Sequence, residues 1–239
     1  MTLPLSVCLI PLGCPKNLVD SEKMLADLAE AGCIVGASAD EADVIVINSC
    51  GFLAASRAET LEVIEEATKM RSLGNCSRIV VAGCLPNRDG EKLLEIEGVD
   101  VIVGASSRIN IVEAVLGSIG RKSYLTTTPH TFVDGAVGDA GRFRLTLPHT
   151  AYLRIAEGCS RTCAFCTIPQ IRGPFRSKPM GMILDEAREL IDSGAKELSI
   201  IAQDTACWGR ELPDPSTLAT LLRELNGLDG AEWIRVLYA

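Results

Sequence analysis

Short apolar runs alternate with amphipathic stretches through the first 120 residues of the chain. The apolar runs have the length and composition of buried strands. They lie at 5–10, 33–36 (a short edge strand), 42–48, 78–83 and 100–104. Between them, helical spacing of leucines and boundary residues predicts helices from Pro15 to a stop at Gly32, then at 53–70, 88–97 and 107–119. This β-α-β-α alternation predicts an α/β fold, with a parallel sheet covered by helices on both faces.

The same alternation resumes at residue 151, after a stretch of Pro, Gly and Thr that contains both histidines. Strands are predicted at 151–158, 197–205 and 232–239, and helices at 181–193 and 215–226. Two complete β/α units and a third strand do not close a barrel. The predicted organisation is a first domain over 1–120, a linker over 121–150 and a second, truncated domain over 151–239.

Composition narrows the class of protein. The formal net charge is −8 and aromatic residues make up 4% of the chain, so a basic or base-stacking nucleic-acid surface is not expected. No apolar run reaches the roughly 18 residues of a membrane span. The first residues lack the pattern of a secretory signal. We therefore expect a cytoplasmic protein without membrane contact.

Three of the ten cysteines lie in "EGCSRTCAFC", as C-x-x-x-C-x-x-C: Cys159, Cys163 and Cys166. Grouped thiols in a reducing compartment bind metal or do redox chemistry more often than they pair. Three thiolates can hold three irons of a 4Fe–4S cube and leave the fourth iron open to a small molecule. Phe165, directly before the last cysteine, would supply an apolar wall. A zinc knuckle with a remote fourth ligand and chance clustering are the alternatives.

Another group of three cysteines, called the first group because it comes earlier in the chain, forms only if the chain folds as predicted. Cys14, Cys50 and Cys84 each lie just past the carboxyl end of a predicted strand. A flavodoxin-like doubly wound sheet makes those three strands neighbours, so the thiols would converge within about 10 Å. Glycines beside these cysteines would let the backbone approach a cluster: Gly13, Gly51 and Gly83. Accidental placement of three cysteines after strands is the alternative.

The cysteine loop resembles the radical S-adenosylmethionine (SAM) superfamily, whose motif follows the first strand of a partial (β/α) barrel. The presence of this loop and the first group in one chain resembles the methylthiotransferase family. The matching phrases are "LGCPKNLVDSE" (12–22), "NSCGF" (48–52), "AGCLP" (82–86) and "IPQIRGPFRSKP" (168–179). Within that family, the first phrase and "AQDT" (202–205) resemble the branch that modifies a ribosomal protein. The family continues beyond this chain with the rest of the barrel and a small β-domain, so the resemblance is to its N-terminal portion.

The resemblance implies two 4Fe–4S clusters, one on Cys14, Cys50 and Cys84 and one on Cys159, Cys163 and Cys166, with SAM at the second. By the same resemblance, Gln203 and Asp204 contact the methionyl part of SAM. Alternatively, they are only polar residues that end a strand. Arg172 and Arg176 either bind a carboxylate or the target loop, or form a solvated basic loop.

The implied reaction adds a methylthio group to the β-carbon of an aspartate in small-subunit ribosomal protein S-twelve. No catalytic side chain beyond the cluster ligands is predicted. An external electron donor of the flavodoxin or ferredoxin type is implied, and no direct nucleic-acid binding by this portion. The alternatives are methylthiolation of a tRNA adenosine, a two-cluster electron-transfer module and a structural zinc protein.

Overall fold

A computed structural model describes residues 3–118, 120–125 and 138–239 of the chain. The chain divides into two compact units, Met1–Thr128 and Pro129–Ala239. Within the described ranges, no helix combines the length and the apolar character needed to cross a bilayer.

The first unit is built on a six-stranded sheet in which every pair of neighbours is parallel. Its strands are β1 (Ser6–Pro11), β2 (Ile34–Val35), β3 (Val44–Ser49), β4 (Arg78–Gly83), β5 (Val101–Gly104) and β6 (Ser123–Leu125). They are arranged in the order β2-β1-β3-β4-β5-β6. The first five strands follow the flavodoxin-like order predicted from the sequence, and the predicted α/β class is confirmed.

Helices cover both faces of this sheet. On each face, an apolar cluster made of strand and helix residues fills the interface. The helices are α1 (Pro15–Glu30), α2 (Ala54–Leu73), α3 (Cys84–Asp89) and α4 (Ile111–Leu116), with 3₁₀ turns at Gly90–Glu95 and Ala105–Asn110. Val44 and Val46 of β3 pack with α1 and α4, whereas Ile45 and Ile47 pack with α2. Alternate residues of one strand thus face opposite layers, which explains why the strand sequence is apolar throughout.

The helix predicted at 88–97 differs most from the structure. It begins earlier, at Cys84, and α-helical geometry ends at Asp89. Gly90 has a φ of 60°, outside right-handed helical geometry, and the chain continues as a 3₁₀ turn to Glu95. Likewise, the predicted 107–119 helix is a 3₁₀ turn followed by α4, which stops at the left-handed Gly117.

Both ends of the stretch predicted as a linker carry structure. Strand β6 pairs with β5, and the Tyr124 hydroxyl donates to the Pro86 carbonyl at 2.9 Å. At the other end, the Asp139 amide donates to the Glu186 carboxylate at 2.8 Å within the second unit. The middle of the predicted linker, with His130, lies outside the described residues.

The second unit contains two β/α units and a third strand, as predicted. Parallel strands β7 (Thr150–Arg154), β10 (Glu197–Ile201) and β11 (Trp233–Val236) form a sheet in the order β11-β10-β7. Helices α6 (Met180–Asp192) and α7 (Leu218–Asn226) connect them, and α5 (Ile168–Arg172) follows the cysteine loop. The strand predicted at 151–158 is divided, because β8 (Ala156–Glu157) leaves the sheet and pairs antiparallel with β9 (Arg176–Ser177). The departure of β8 from the sheet directs the chain into the cysteine loop.

Candidate metal centres

The first group of cysteines lies on one edge of the first unit's sheet. Cys50 directly follows β3, Cys84 directly follows β4, and Cys14 comes three residues after Pro11, the end of β1. These three strands are parallel, hydrogen-bonded neighbours. Their carboxyl ends therefore bring three distant sequence positions to the same edge, which is where doubly wound folds bind ligands.

Glycines bring the three cysteine-bearing loops into contact. Gly13 has a φ of +91°, and a Cβ atom there would lie 2.6 Å from the Cys50 Cβ and 3.1 Å from its sulfur. A Cβ atom on Gly51 would lie 3.0 Å from the carbonyl oxygen of Cys84. The Cys50 loop thus touches the loop on each side of it. Such close approach of the backbone needs residues without side chains.

The first group fits a cluster in the chemistry and placement of its donors. Cys50 and Cys84 are buried, and Cys14 is exposed at the start of α1. Among the described residues, no three His, Cys, Asp or Glu side chains are arranged around a single metal ion. In a 4Fe–4S cube, however, each thiolate binds a different iron, so the three sulfurs stand farther apart than the ligands of one ion. Three soft donors on one edge suit such a cluster.

Sequence reasoning missed a residue beneath the first group. Asn17 of α1 is buried, and its side-chain amide donates to the carbonyls of Leu12 and Ser49, both at 2.9 Å. The signal was present in the sequence, because a polar residue falls on the buried side of an amphipathic helix one turn after Cys14. Its partners become visible only in the folded chain.

The second group lies in a loop between β8 and α5. Cys159 is buried, Cys163 is exposed and Cys166 is partly buried. The Cys159 amide donates to the Gly173 carbonyl at 3.1 Å, and the Cys166 amide donates to the Cys163 carbonyl at 3.1 Å. These bonds close the base of the loop and turn its far end. The three sulfur donors are local in sequence and need no distant strand to bring them together.

A glycine also fixes the start of this loop. Gly158 has a φ of +73°, and a Cβ atom there would collide with the Pro174 carbonyl oxygen. The chain before Cys159 therefore packs directly on the segment that follows α5. By contrast, Phe165 is 86% exposed and does not pack against the rest of the unit. Its role as an apolar wall of a bound group stays a prediction.

The two predicted SAM-contacting residues follow β10, next to the cysteine loop. Gln203 donates from Nε2 to Glu157 Oε1 at 3.1 Å. Asp204 accepts from Arg161 Nε at 2.6 Å, and Arg161 lies within the cysteine loop. This hydrogen bond is the main reason why the pKa of Asp204 is lowered. The structure thus brings both residues to the loop, although their contact with SAM stays a prediction.

Cys207 extends this arrangement. Its sulfur lies 3.1 Å from Asp204 Oδ2 and 3.4 Å from Arg161 Nη2. Burial, and then the hydrogen bond to Asp204, raise the pKa of the Cys207 thiol. The thiol form can donate to the carboxylate, whereas a thiolate would be repelled by it, so the contact is one of a neutral donor.

Glu157 is a second residue that sequence reasoning missed. Its carboxylate lies 3.0 Å from Arg154 Nη1 and 3.6 Å from Arg172 Nη1, and it accepts from Gln203. Arg172 is only 3% exposed, so it is not part of a solvated basic loop. Glu157 therefore joins the end of β7, the end of α5 and the end of β10 directly before the cysteine loop.

This carboxylate belongs to a larger buried ion network. Arg154 also pairs with Asp139, which accepts from Lys178 Nζ at 2.8 Å. Lys178 in turn lies 2.6 Å from Glu186. The members include three acidic and three basic groups: Asp139, Glu157, Glu186, Arg154, Arg172 and Lys178. Buried charges are tolerated when they are paired in this way.

The fold defines a class: an α/β protein with the fold of solved radical SAM enzymes. Among solved structures, TsrM from Kitasatospora setae, a radical S-adenosylmethionine methyltransferase, matches 92% of this chain and 50% of that chain with a TM-score of 0.61 and 15% identity. OxsB, a cobalamin-dependent S-adenosylmethionine radical enzyme, matches 98% of this chain and 38% of that chain, with a TM-score of 0.59 and 14% identity. At these identities, the likeness is one of fold.

Sequence comparison gives a more specific likeness than the fold does. Residues 6–104 match the uncharacterized protein family UPF0004. The chain is 43% identical to the ribosomal protein uS12 methylthiotransferase RimO of Syntrophus aciditrophicus, over 98% of this chain and 52% of the relative. It is 41% identical to RimO of Geobacter sulfurreducens, again over 98% and 52%. The chain spans about half the length of these curated relatives. The predicted resemblance to the methylthiotransferase family is confirmed.

The contact between Gly13 and Cys50 gives a first prediction. Gly13→Ala must lose stability both from the strained φ, which costs about 1–3 kcal/mol, and from collision with Cys50. Gly32→Ala is the matched control, because Gly32 has a φ of +89° but nothing within 4 Å of an added Cβ. Urea unfolding followed by circular dichroism compares the two. Equal loss of stability in both variants would contradict the close approach.

A second prediction concerns the buried network. Glu157→Gln removes the carboxylate that pairs with both Arg154 and Arg172, and breaking a buried pair costs about 3–5 kcal/mol. The matched control is Glu232→Gln in the same unit, whose partner Lys196 lies 3.1 Å away on the surface. That variant is expected to unfold like the parent, since exposed pairs contribute little. Thermal unfolding, followed by a spectroscopic signal of the second unit, gives the melting temperatures of both variants and the parent. A wild-type melting temperature for Glu157→Gln would show that the network contributes nothing.

Proposed function

We propose that the chain is the cluster-bearing half of a radical SAM methylthiotransferase that acts on an aspartate β-carbon of ribosomal protein uS12. One observation carries the proposal. The chain has two groups of three cysteines, each on loops that suit an iron–sulfur cluster, within a sequence about 40% identical to RimO proteins over nearly its whole length. With a ribosomal substrate, the proposed location of the protein is the cytoplasm.

In this proposal, Cys159, Cys163 and Cys166 hold one 4Fe–4S cluster, and Cys14, Cys50 and Cys84 hold the other. When bound, such a cluster with SAM supplies the radical chemistry that an unactivated C–H bond requires, because acid–base side chains cannot remove a hydrogen that is not acidic. The protein's own task is to bind, orient and shield. Electrons would come from an external flavodoxin- or ferredoxin-type donor.

The side chains around the second group support that task. Glu157 fixes Gln203 by the 3.1 Å hydrogen bond, and Arg161 fixes Asp204 at 2.6 Å. Both polar side chains are thus held at the edge of the sheet where the cysteine loop lies. We propose that Gln203 and Asp204 face the methionyl part of SAM there, and that exposed Phe165 covers it.

Iron content tests the number of clusters. After anaerobic reconstitution, we expect about eight irons per chain, and about four after Ala replaces Cys159, Cys163 and Cys166. The same measurement on the Cys14/Cys50/Cys84→Ala variant must also give about four. A parent chain that never exceeds one cluster's iron contradicts the two-cluster proposal. Zinc without sulfide would favour a structural zinc protein instead.

The substrate is tested by competition. The reconstituted chain, SAM and a chemical reductant are mixed with uS12 and total tRNA, and mass spectrometry locates any methylthio group. We expect the group on one aspartate of uS12, together with cleavage of SAM to 5′-deoxyadenosine. The Cys159/Cys163/Cys166→Ala variant should give neither product. A methylthio group on adenosine would overturn the substrate, and absence of SAM cleavage would favour an electron-transfer module.

A further inference from the structure

One buried side chain touches all three segments that bear the first cysteine group. Asn17 Nδ2 donates at 2.9 Å to the carbonyl of Leu12, two residues before Cys14. It also donates at 2.9 Å to the carbonyl of Ser49, directly before Cys50. On its other side, Asn17 Oδ1 lies 3.6 Å from the sulfur of Cys84.

The orientation of this amide is determined by its partners. Both hydrogens of Nδ2 meet carbonyl oxygens, which accept and cannot donate. Rotating the amide by half a turn would set its oxygen against the carbonyls of Leu12 and Ser49 and lose both hydrogen bonds. Oδ1 must therefore face Cys84. A buried carbonyl that loses such a partner is left unsatisfied, which is unfavourable.

A second layer holds Asn17 from behind. Asn48 donates from Nδ2 to the Asn17 carbonyl at 2.8 Å and to Ser21 Oγ at 2.8 Å. Ser21 Oγ donates to the same Asn17 carbonyl at 3.1 Å. Asn17, Ser21 and Asn48 are all at most 1% exposed. The amide is thus fixed on a rigid, buried set of hydrogen bonds that links α1 to the end of β3.

We propose that Asn17 is the positioning residue that sets the spacing of Cys14, Cys50 and Cys84 for an iron–sulfur cluster. The inference rests on the proposed function, in which these cysteines are cluster ligands. The cysteines are far apart in sequence, so no local motif fixes their separation. Supporting residues that orient metal ligands typically change metal affinity by about 10–100-fold when they are replaced.

Asn17 acts on the cluster through the backbone and not as a ligand. Its oxygen faces Cys84, where it can accept from a thiol but offers no donor to a thiolate. Stabilisation of the thiolate charge is therefore not its contribution. The two hydrogen bonds from Nδ2 instead hold the chain beside Cys14 and Cys50 at a fixed distance from Cys84. Loss of those bonds should loosen the site without removing any sulfur.

The test uses the full chain in the Cys159/Cys163/Cys166→Ala background, so that only the first cluster is observed. Asn17→Asp keeps the shape but presents a carboxylate that donates to neither carbonyl, and Asn17→Ala removes the group. We expect iron loss to a chelator to become about 10-fold faster in both. The electron paramagnetic resonance signal of the reduced cluster should broaden as its ligand geometry becomes heterogeneous.

Ser21→Ala is the matched control, because it removes two hydrogen bonds from the same buried set but leaves in place both bonds that Asn17 Nδ2 donates beside Cys14 and Cys50. At a comparable loss of melting temperature, it should release iron at the parental rate and keep the parental spectrum. Asn17→Ser replaces Asn17→Ala if the latter does not fold. Parental iron release and spectrum in the Asn17 variants would overturn the inference, as would equal acceleration in Ser21→Ala. If the Cys159/Cys163/Cys166→Ala chain with Asn17 intact bound no iron, the proposed function would instead be refuted.

Discussion

The close contact at Gly13 and Cys50 is the constraint on which the first cysteine group depends. Parallel strands bring the ends of β1, β3 and β4 to one edge, but Cys14 lies three residues beyond its strand. Only a sharp turn returns it toward its neighbours, and the φ of +91° at Gly13 provides that turn. The absent side chain leaves room for Cys50. Sheet topology therefore brings the three strand ends to one edge, and Gly13 allows the Cys14 loop to approach Cys50 closely.

The two cysteine groups are supported by different interactions. Beneath the first, neutral side chains share hydrogen bonds: Asn17, Ser21 and Asn48. Beside the second, Glu157 belongs to a network of buried acidic and basic side chains. Burying a neutral, hydrogen-bonded set costs less desolvation than burying ions, whereas charge-assisted pairs are stronger and costly to break. Distant loops are thus joined by short amides, and a local loop is anchored by long charged side chains.

The sequence predicted the elements whose signal is local. Continuous apolar runs identified the central strands, and the spacing of Cys159, Cys163 and Cys166 identified the second group without knowledge of the fold. Strand β6 was missed, because Ser123–Leu125 is short and only partly buried. Asn17 and Glu157 were missed for another reason: some of their partners lie far along the chain. Ser49 and Cys84 are 32 and 67 residues from Asn17, and Gln203 is 46 residues from Glu157. Such roles follow from tertiary contacts that no single-sequence pattern records.

The position of His149 bears on the choice between a cluster and a zinc site at the second group. Its carbonyl accepts from the amides of Lys196 and Glu197, which places it at the amino end of β7 and β10. The cysteine loop follows the opposite, carboxyl end. The intervening strand, Thr150–Arg154, has five residues, which span about 16 Å at 3.3 Å per residue. A ring nitrogen at the start of the strand cannot complete a tetrahedral site whose bonds are about 2 Å long. That separation excludes His149 as the remote zinc ligand.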